Sequence, residues 1–142
     1  MKGRIASVDF GEARIGLALS DLGHFLATPL KAIPGKGTMK EVAQAVLLAL
    51  KEHEPIEKIV LGLPLHMNGK ESPSSLKVRE LKKHLEELSK VPILLWDERL
   101  TTTQVERTLK EAKMSRKKRT QHVDAMAAGV ILQSFLDQEN PY

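Results

Sequence analysis

The chain has 142 residues and no cysteine, which removes disulfides and thiolate metal sites at once. That absence suits a reducing compartment. Aromatic residues make up only 4% of the sequence. This argues against reading bases by stacking on rings and towards recognition of backbone or shape. No apolar run approaches the roughly 18 residues that a membrane span needs. Met1-Lys2-Gly3-Arg4 leads straight into strand-like sequence, without an apolar leader or a small-residue cleavage site. No signal peptide and no membrane contact are expected, and the expected location is cytoplasmic. His24, His53, His66, His84 and His122 lack metal-ligand spacing. A P-loop signature is also missing.

What the chain does have is ordinary globular material: 42% hydrophobic and 28% charged residues, enough for a packed core in one domain spanning 1–142. Lys and Arg outnumber Asp and Glu by 22 to 18, a net charge of +4. The excess is local. Residues 110–119 hold Lys110, Lys113, Arg116, Lys117, Lys118 and Arg119 against Glu111 alone, a net +5 that exceeds the whole chain's. A basic loop here would draw in a polyanion.

The pattern predicts strands at 4–10, 14–20 and 24–33, joined by short turns into an antiparallel meander. Thr38 and Glu41 stand at capping-box spacing ahead of a helix that Pro55 ends. Strand 58–63, a helix from about Ser74, strand 91–96, a helix over 102–113 and a last helix over 121–136 follow. Strands separated by helices pair in parallel through right-handed crossovers. The expected fold is therefore α/β, with a five-stranded mixed sheet and helices on both faces.

Three acids stand out against this frame. Asp9 shares a strand face with Ile5 and Ser7 near the end of the first strand. Its plain alternative is a turn cap before Gly11. Asp97 and Glu98 follow the last strand, at the carboxyl edge where open α/β sheets bind ligands. Asp124 precedes Ala128, Ile131 and Phe135 by four, seven and eleven residues, which sets it on the apolar stripe of the last helix. Separated carboxylates of this kind suit hard divalent cations with oxygen ligands. Such cations serve phosphodiester hydrolysis without a side-chain nucleophile.

Four segments carry a resemblance: Asp9-Phe-Gly-Glu-Ala-Arg-Ile-Gly-Leu-Ala-Leu-Ser-Asp21, Gly62-Leu-Pro-Leu-His-Met-Asn-Gly69, Asp97-Glu-Arg-Leu-Thr-Thr102 and Val123-Asp-Ala-Met-Ala-Ala-Gly-Val-Ile-Leu-Gln133. In this order they resemble the YqgF family, also called RuvX, over nearly the whole chain. Residues 34–57 and the tail after Gln133 match nothing diagnostic. The resemblance implies a ribonuclease H-like fold and a metal-dependent nuclease using Mg2+ or Mn2+. Its members are described as nucleases maturing the 5′ end of pre-16S rRNA, or as Holliday junction resolvases. It further implies Asp9, Glu98 and Asp124 as the catalytic and metal-binding acids. Glu98 is preferred over Asp97 because neighbouring residues on a continuing strand point to opposite faces, leaving Asp97 a supporting part.

Other residues carry two readings each. Arg14 either meets phosphate or braces the Asp9 loop. Arg99 either neutralises a phosphate or pairs with Asp97. Asn68 either holds a loop against substrate or makes a tight turn. Thr101 and Thr102 read as helix caps, and Trp96 as core. Lys113, Arg116, Lys117, Lys118 and Arg119 read as a flexible basic flap for nucleic acid, either pre-rRNA or branched DNA. Junction cutting favours a homodimer, and rRNA trimming leaves a monomer open. Two further classes compete. Asp9-Phe10-Gly11 also resembles the phosphate loop of the actin and sugar-kinase superfamily, which clamps ATP between two domains. A non-catalytic RNA-binding module is the other, and intact acids disfavour it.

Overall fold

A computed structural model of the chain describes residues 3–100 and 116–140, with the backbone alone for residues 100 and 116–125. Strands β1 (Arg4–Asp9), β2 (Arg14–Ser20) and β3 (Ala27–Pro34) form the meander; α1 (Met39–Leu50), β4 (Ile56–Leu63), α2 (Pro73–Leu88), β5 (Ile93–Asp97) and α3 (Arg116–Glu139) follow. The sheet order is β3-β2-β1-β4-β5. β1 pairs antiparallel with β2 and parallel with β4, and β4 pairs parallel with β5. The five-stranded mixed sheet is as the sequence pattern predicts.

β1 is central, and its alternation feeds two cores. Ala6, Val8 and Phe10 pack with Val42, Val46, Val78, Leu81 and Leu85 of α1 and α2. Ile5 on the opposite face packs with Ala128, Ile131, Leu132, Phe135 and Leu136 of α3. Each of the large side chains buried from α3 contributes about 1.5–3 kcal/mol, which is what holds this helix on its face. The Ser7 hydroxyl donates to the Ala128 carbonyl at 2.6 Å, a polar stitch inside an apolar layer.

Both helices with described N-caps start where side-chain oxygens take up orphan N–H groups. Thr38 and Glu41 form the expected capping box on α1. Ser72 and Ser75 form a second on α2, with Pro73 at its first turn. Two boundaries differ. β3 begins at Ala27 rather than 24, because Asp21 Oδ1 accepts the N–H groups of Phe25 and Leu26 at 2.8 and 2.9 Å and folds 21–26 into a turn. α3 is already helical at Arg116, ahead of the expected 121. The Arg116–Arg119 part of the expected flap is therefore helical, because Lys and Arg are good helix formers once the flanking segment winds. The expected helix over 102–113, with Thr101, Thr102 and Lys113, lies outside the described residues. Trp96 is half-buried, meeting Phe135 edge-on at 5.9 Å. Among the described residues, no helix is long and apolar enough to cross a membrane.

Two contacts fix the direction of α3. Asn140 Nδ2, just past its end, donates to the His24 carbonyl at 2.9 Å, and His24 Nε2 lies 2.6 Å from the Gly3 carbonyl at the start of β1. α3 thus runs antiparallel to β1, and its N-terminal half lies towards the carboxyl end of that strand.

Candidate active site

Asp9 closes β1 on the α3 face, in the row of Ile5 and Ser7. It is paired with Gly16 across β2, and the register of Val8 with Leu61 brings it level with Gly62 of β4. β5 ends at Asp97, and a short 3-10 turn begins at Glu98. The strand does not continue through the two acids, so alternation does not sort them. The turn does.

Glu98 folds back over β4 at Gly62. A Cβ on Gly62 would stand 2.8 Å from both Cγ and Cδ of Glu98, and 2.7 Å from Cδ1 of Ile131. Any side chain at position 62 would fill the space the acid occupies. Gly62 is thus a site residue that the sequence pattern does not single out. Its one signal there is that of a glycine inside a buried strand, which marks close approach by some other group.

In that space Glu98 meets Asp9 in a side-chain hydrogen bond. Burial pushes the Glu98 carboxyl up to about 9, and its hydrogen bond to Asp9 and the charges of Asp9 and Asp97 add to the rise. Two carboxyls this close cannot both ionise cheaply, so a proton sits between them unless a cation takes its place. Asp97 is treated in the opposite way. Arg99 grips it, with Nε at 2.8 Å and Nη2 at 2.6 Å from Oδ2 and its backbone N–H at 3.0 Å from Oδ1. These hydrogen bonds hold the Asp97 carboxyl below its usual range. Of the two readings of Arg99, the structure contains the pair with Asp97.

Asp124 lies on α3 one turn before Ala128. One helical turn of four residues covers about 6 Å, and the two strand residues from Ser7 to Asp9 cover about 6.6 Å. Since α3 runs antiparallel to β1, the Asp124 backbone stands near the level of Asp9; its side chain lies outside the described residues. Among the described residues no group of three His, Asp or Glu is set to hold a metal ion. Arg14 begins β2 at this same end of the sheet, two residues before Gly16. Asn68 Oδ1 accepts the Lys70 N–H at 2.9 Å, the tight-turn arrangement. The side chains of Arg116, Lys117, Lys118 and Arg119 are outside the described residues, as is all of Lys113.

A family model described as "RuvX: Holliday junction resolvase" matches residues 3–138. The chain belongs to the RuvX family. A relative from Protochlamydia amoebophila named "Putative pre-16S rRNA nuclease" is 43% identical over 142 residues, covering 94% of this chain and 93% of its own. Among solved structures, the Fowlpox virus resolvase in complex with Holliday junction DNA superposes with a TM-score of 0.61 at 16% identity, over 96% of this chain and 99% of that one. Thermus thermophilus RuvC in complex with a Holliday junction gives 0.56 at 16% identity, over 96% and 95%. Those two likenesses carry the fold, which is ribonuclease H-like as the RuvX motifs imply. Membership carries the class of activity. This RuvX protein is a nuclease, a hydrolase of phosphodiester bonds, and its substrate is nucleic acid.

Proposed function

We propose that this RuvX protein is a cytoplasmic enzyme that trims the 5′ end of pre-16S rRNA, using Asp9, Glu98 and Asp124 to hold divalent cations, Mg2+ or Mn2+. The observation that carries the reading is the contact between Asp9 and Glu98 over Gly62. Two half-buried acids sharing a proton destabilise a fold for no packing return, and they fit a cation that would replace that proton. Oxygen donors alone, with no cysteine in the chain, match the preference of hard cations. When bound, such cations activate water and neutralise charge on the leaving oxygen.

The chain's own residues set up that chemistry. Asp9 is fixed by the central strand, and Glu98 is held over Gly62 by the turn that Arg99 and Asp97 brace. Arg99 keeps Asp97 ionised and engaged, so that Asp97 does not compete for the proton of Glu98. Arg116, Lys117, Lys118 and Arg119 open α3, eight to five residues ahead of Asp124. Cations there would meet phosphates arriving at the site, with Lys113, Asn68 and Arg14 as further contacts.

The rRNA substrate follows the name of relatives alike over nearly their whole length. A second reading, cleavage of four-way DNA, is favoured by the family's own description, and its two symmetric cuts would call for a homodimer. Cleavage of a pre-16S 5′ fragment and a synthetic four-way junction, side by side with Mg2+ or Mn2+, separates them. The expected result is cutting of the rRNA fragment that disappears with Asp9→Asn. Junction cutting alone would move the assignment to DNA, and cutting that survives Asp9→Asn would remove Asp9 from the site.

A further inference from the structure

We infer that Met67 touches substrate, its side chain lying against a nucleobase unstacked beside the scissile phosphate. This rests on the carboxyl end of the sheet being the place of cleavage.

Met67 is 83% exposed, the most exposed large apolar side chain among the described residues. Its loop is not loose. Leu65 packs into the core under α1 and α2, and its N–H donates to the Leu63 carbonyl at 3.0 Å. The His66 N–H reaches the Lys70 carbonyl at 2.9 Å, and the Gly69 N–H reaches the His66 carbonyl at 2.8 Å. Asn68 closes the turn onto Lys70, and the Ser72 hydroxyl donates to the Pro64 carbonyl. Arg99 then joins the loop to the site. Its Nη1 donates to the Met67 carbonyl at 3.4 Å while the rest of its guanidinium grips Asp97, next to Glu98. Gly69 has φ +86°, and a Cβ there would stand 3.3 Å from Arg99 Nη1, so the arginine lies directly against the loop.

The fold therefore holds an apolar side chain out into water, one arginine away from the acid pair. An exposed methionine returns no burial energy to the folded protein. A pinned loop gives it a contact whose ordering cost is met before binding. Phosphates and sugars offer no extended apolar face, so along a nucleic acid the matching surface is a base. A thioether packs on an aromatic ring without choosing among rings. The nearby aromatic Trp96 is occupied by Phe135, which leaves a methionine, rather than a ring, to make this contact.

The test uses the full-length protein with a pre-16S 5′ fragment and a four-way junction, each carrying 2-aminopurine at the nucleotides flanking the cut. Met67→Ala should raise KM about two- to tenfold, spread the cut over neighbouring positions and leave the salt dependence of binding unchanged. Met67→Leu should restore most of the loss. In the Asp9→Asn background, binding should brighten 2-aminopurine, and adding Met67→Ala should abolish the brightening. Wild-type KM, an unmoved cut and an unchanged signal in Met67→Ala would overturn the inference while leaving the nuclease site standing. A Met67-dependent signal from a wild-type protein that cuts neither substrate would do the reverse.

Discussion

Asp21 and Glu98 are carboxylic acids just beyond strand ends, at opposite rims of the same sheet, and their surroundings use them differently. Asp21 is met by donors. The N–H groups of Leu26 and Phe25 point at it, and they hold its carboxyl below the usual range. Glu98 is met by burial and by other acids, which drive it up to about 9. Asp21 therefore organises a turn, and Glu98 stores a conflict. The residue type says little about which role an acid plays. The groups aimed at it decide.

The largest expected effect tests the conflicted rim. Asp9→Asn removes one acid at constant volume, and cleavage should fall on the order of a thousandfold, while the thermal midpoint holds or rises. A lower midpoint, measured by circular dichroism in chelator, would show that the pair supports the fold. The next effect is on pH. In metal-free protein, folded Glu98 keeps its proton to about pH 9, whereas an ordinary Glu releases it near 4.5. Between those values the folded state binds more protons than the unfolded one, so stability should fall as pH rises, by on the order of a few kcal/mol. Glu98→Gln should flatten that slope in urea titrations at pH 5 and 8.5, and an unchanged slope would place the proton elsewhere.

Gly62→Ala sharpens the comparison without changing any charge. The new methyl collides with Glu98 and Ile131. Cleavage should drop about a hundredfold through misplacement of the acid, and stability by about 1–3 kcal/mol. Rates equal to wild type would mean that Glu98 does not need its seat over β4. The smallest effect belongs to the organised rim. Asp21→Ala should lower the thermal midpoint by a few degrees, with kcat/KM for cleavage untouched. Its contribution is present above the usual Asp range and is lost as pH falls from there through the lowered folded-state value, opposite in sign to that of Glu98. Lost cleavage in a folded Asp21→Ala protein would mean that the two rims are coupled.

Much of this is legible in the sequence. Alternation in β1 separates Asp9 from its neighbours, the capping-box spacing locates α1, and the stripe of Ala128, Ile131 and Phe135 on α3 is buried as its period requires. Choosing between Asp97 and Glu98 is harder, because strand periodicity assigns faces only while the strand lasts, and β5 stops between them. The seat over Gly62 is invisible for a related reason. A glycine records that something comes close, and only the fold says what. α3 is already helical over 116–120, ahead of where its apolar stripe places it, because a run of like charges reads as solvated loop while its intrinsic propensity is helical.

The stitch between Ser7 and Ala128 joins residues 121 positions apart, and Ile131 on the same helix completes the seat of Glu98. In the order of synthesis, β1 leaves the ribosome first and α3 nearly last. Contacts that span most of a chain form only when both ends are available, and they are the slow part of folding. A nascent chain thus carries Asp9 and Glu98 before it has the helix that closes over them. The seat of Glu98 is therefore complete only once the last helix has docked.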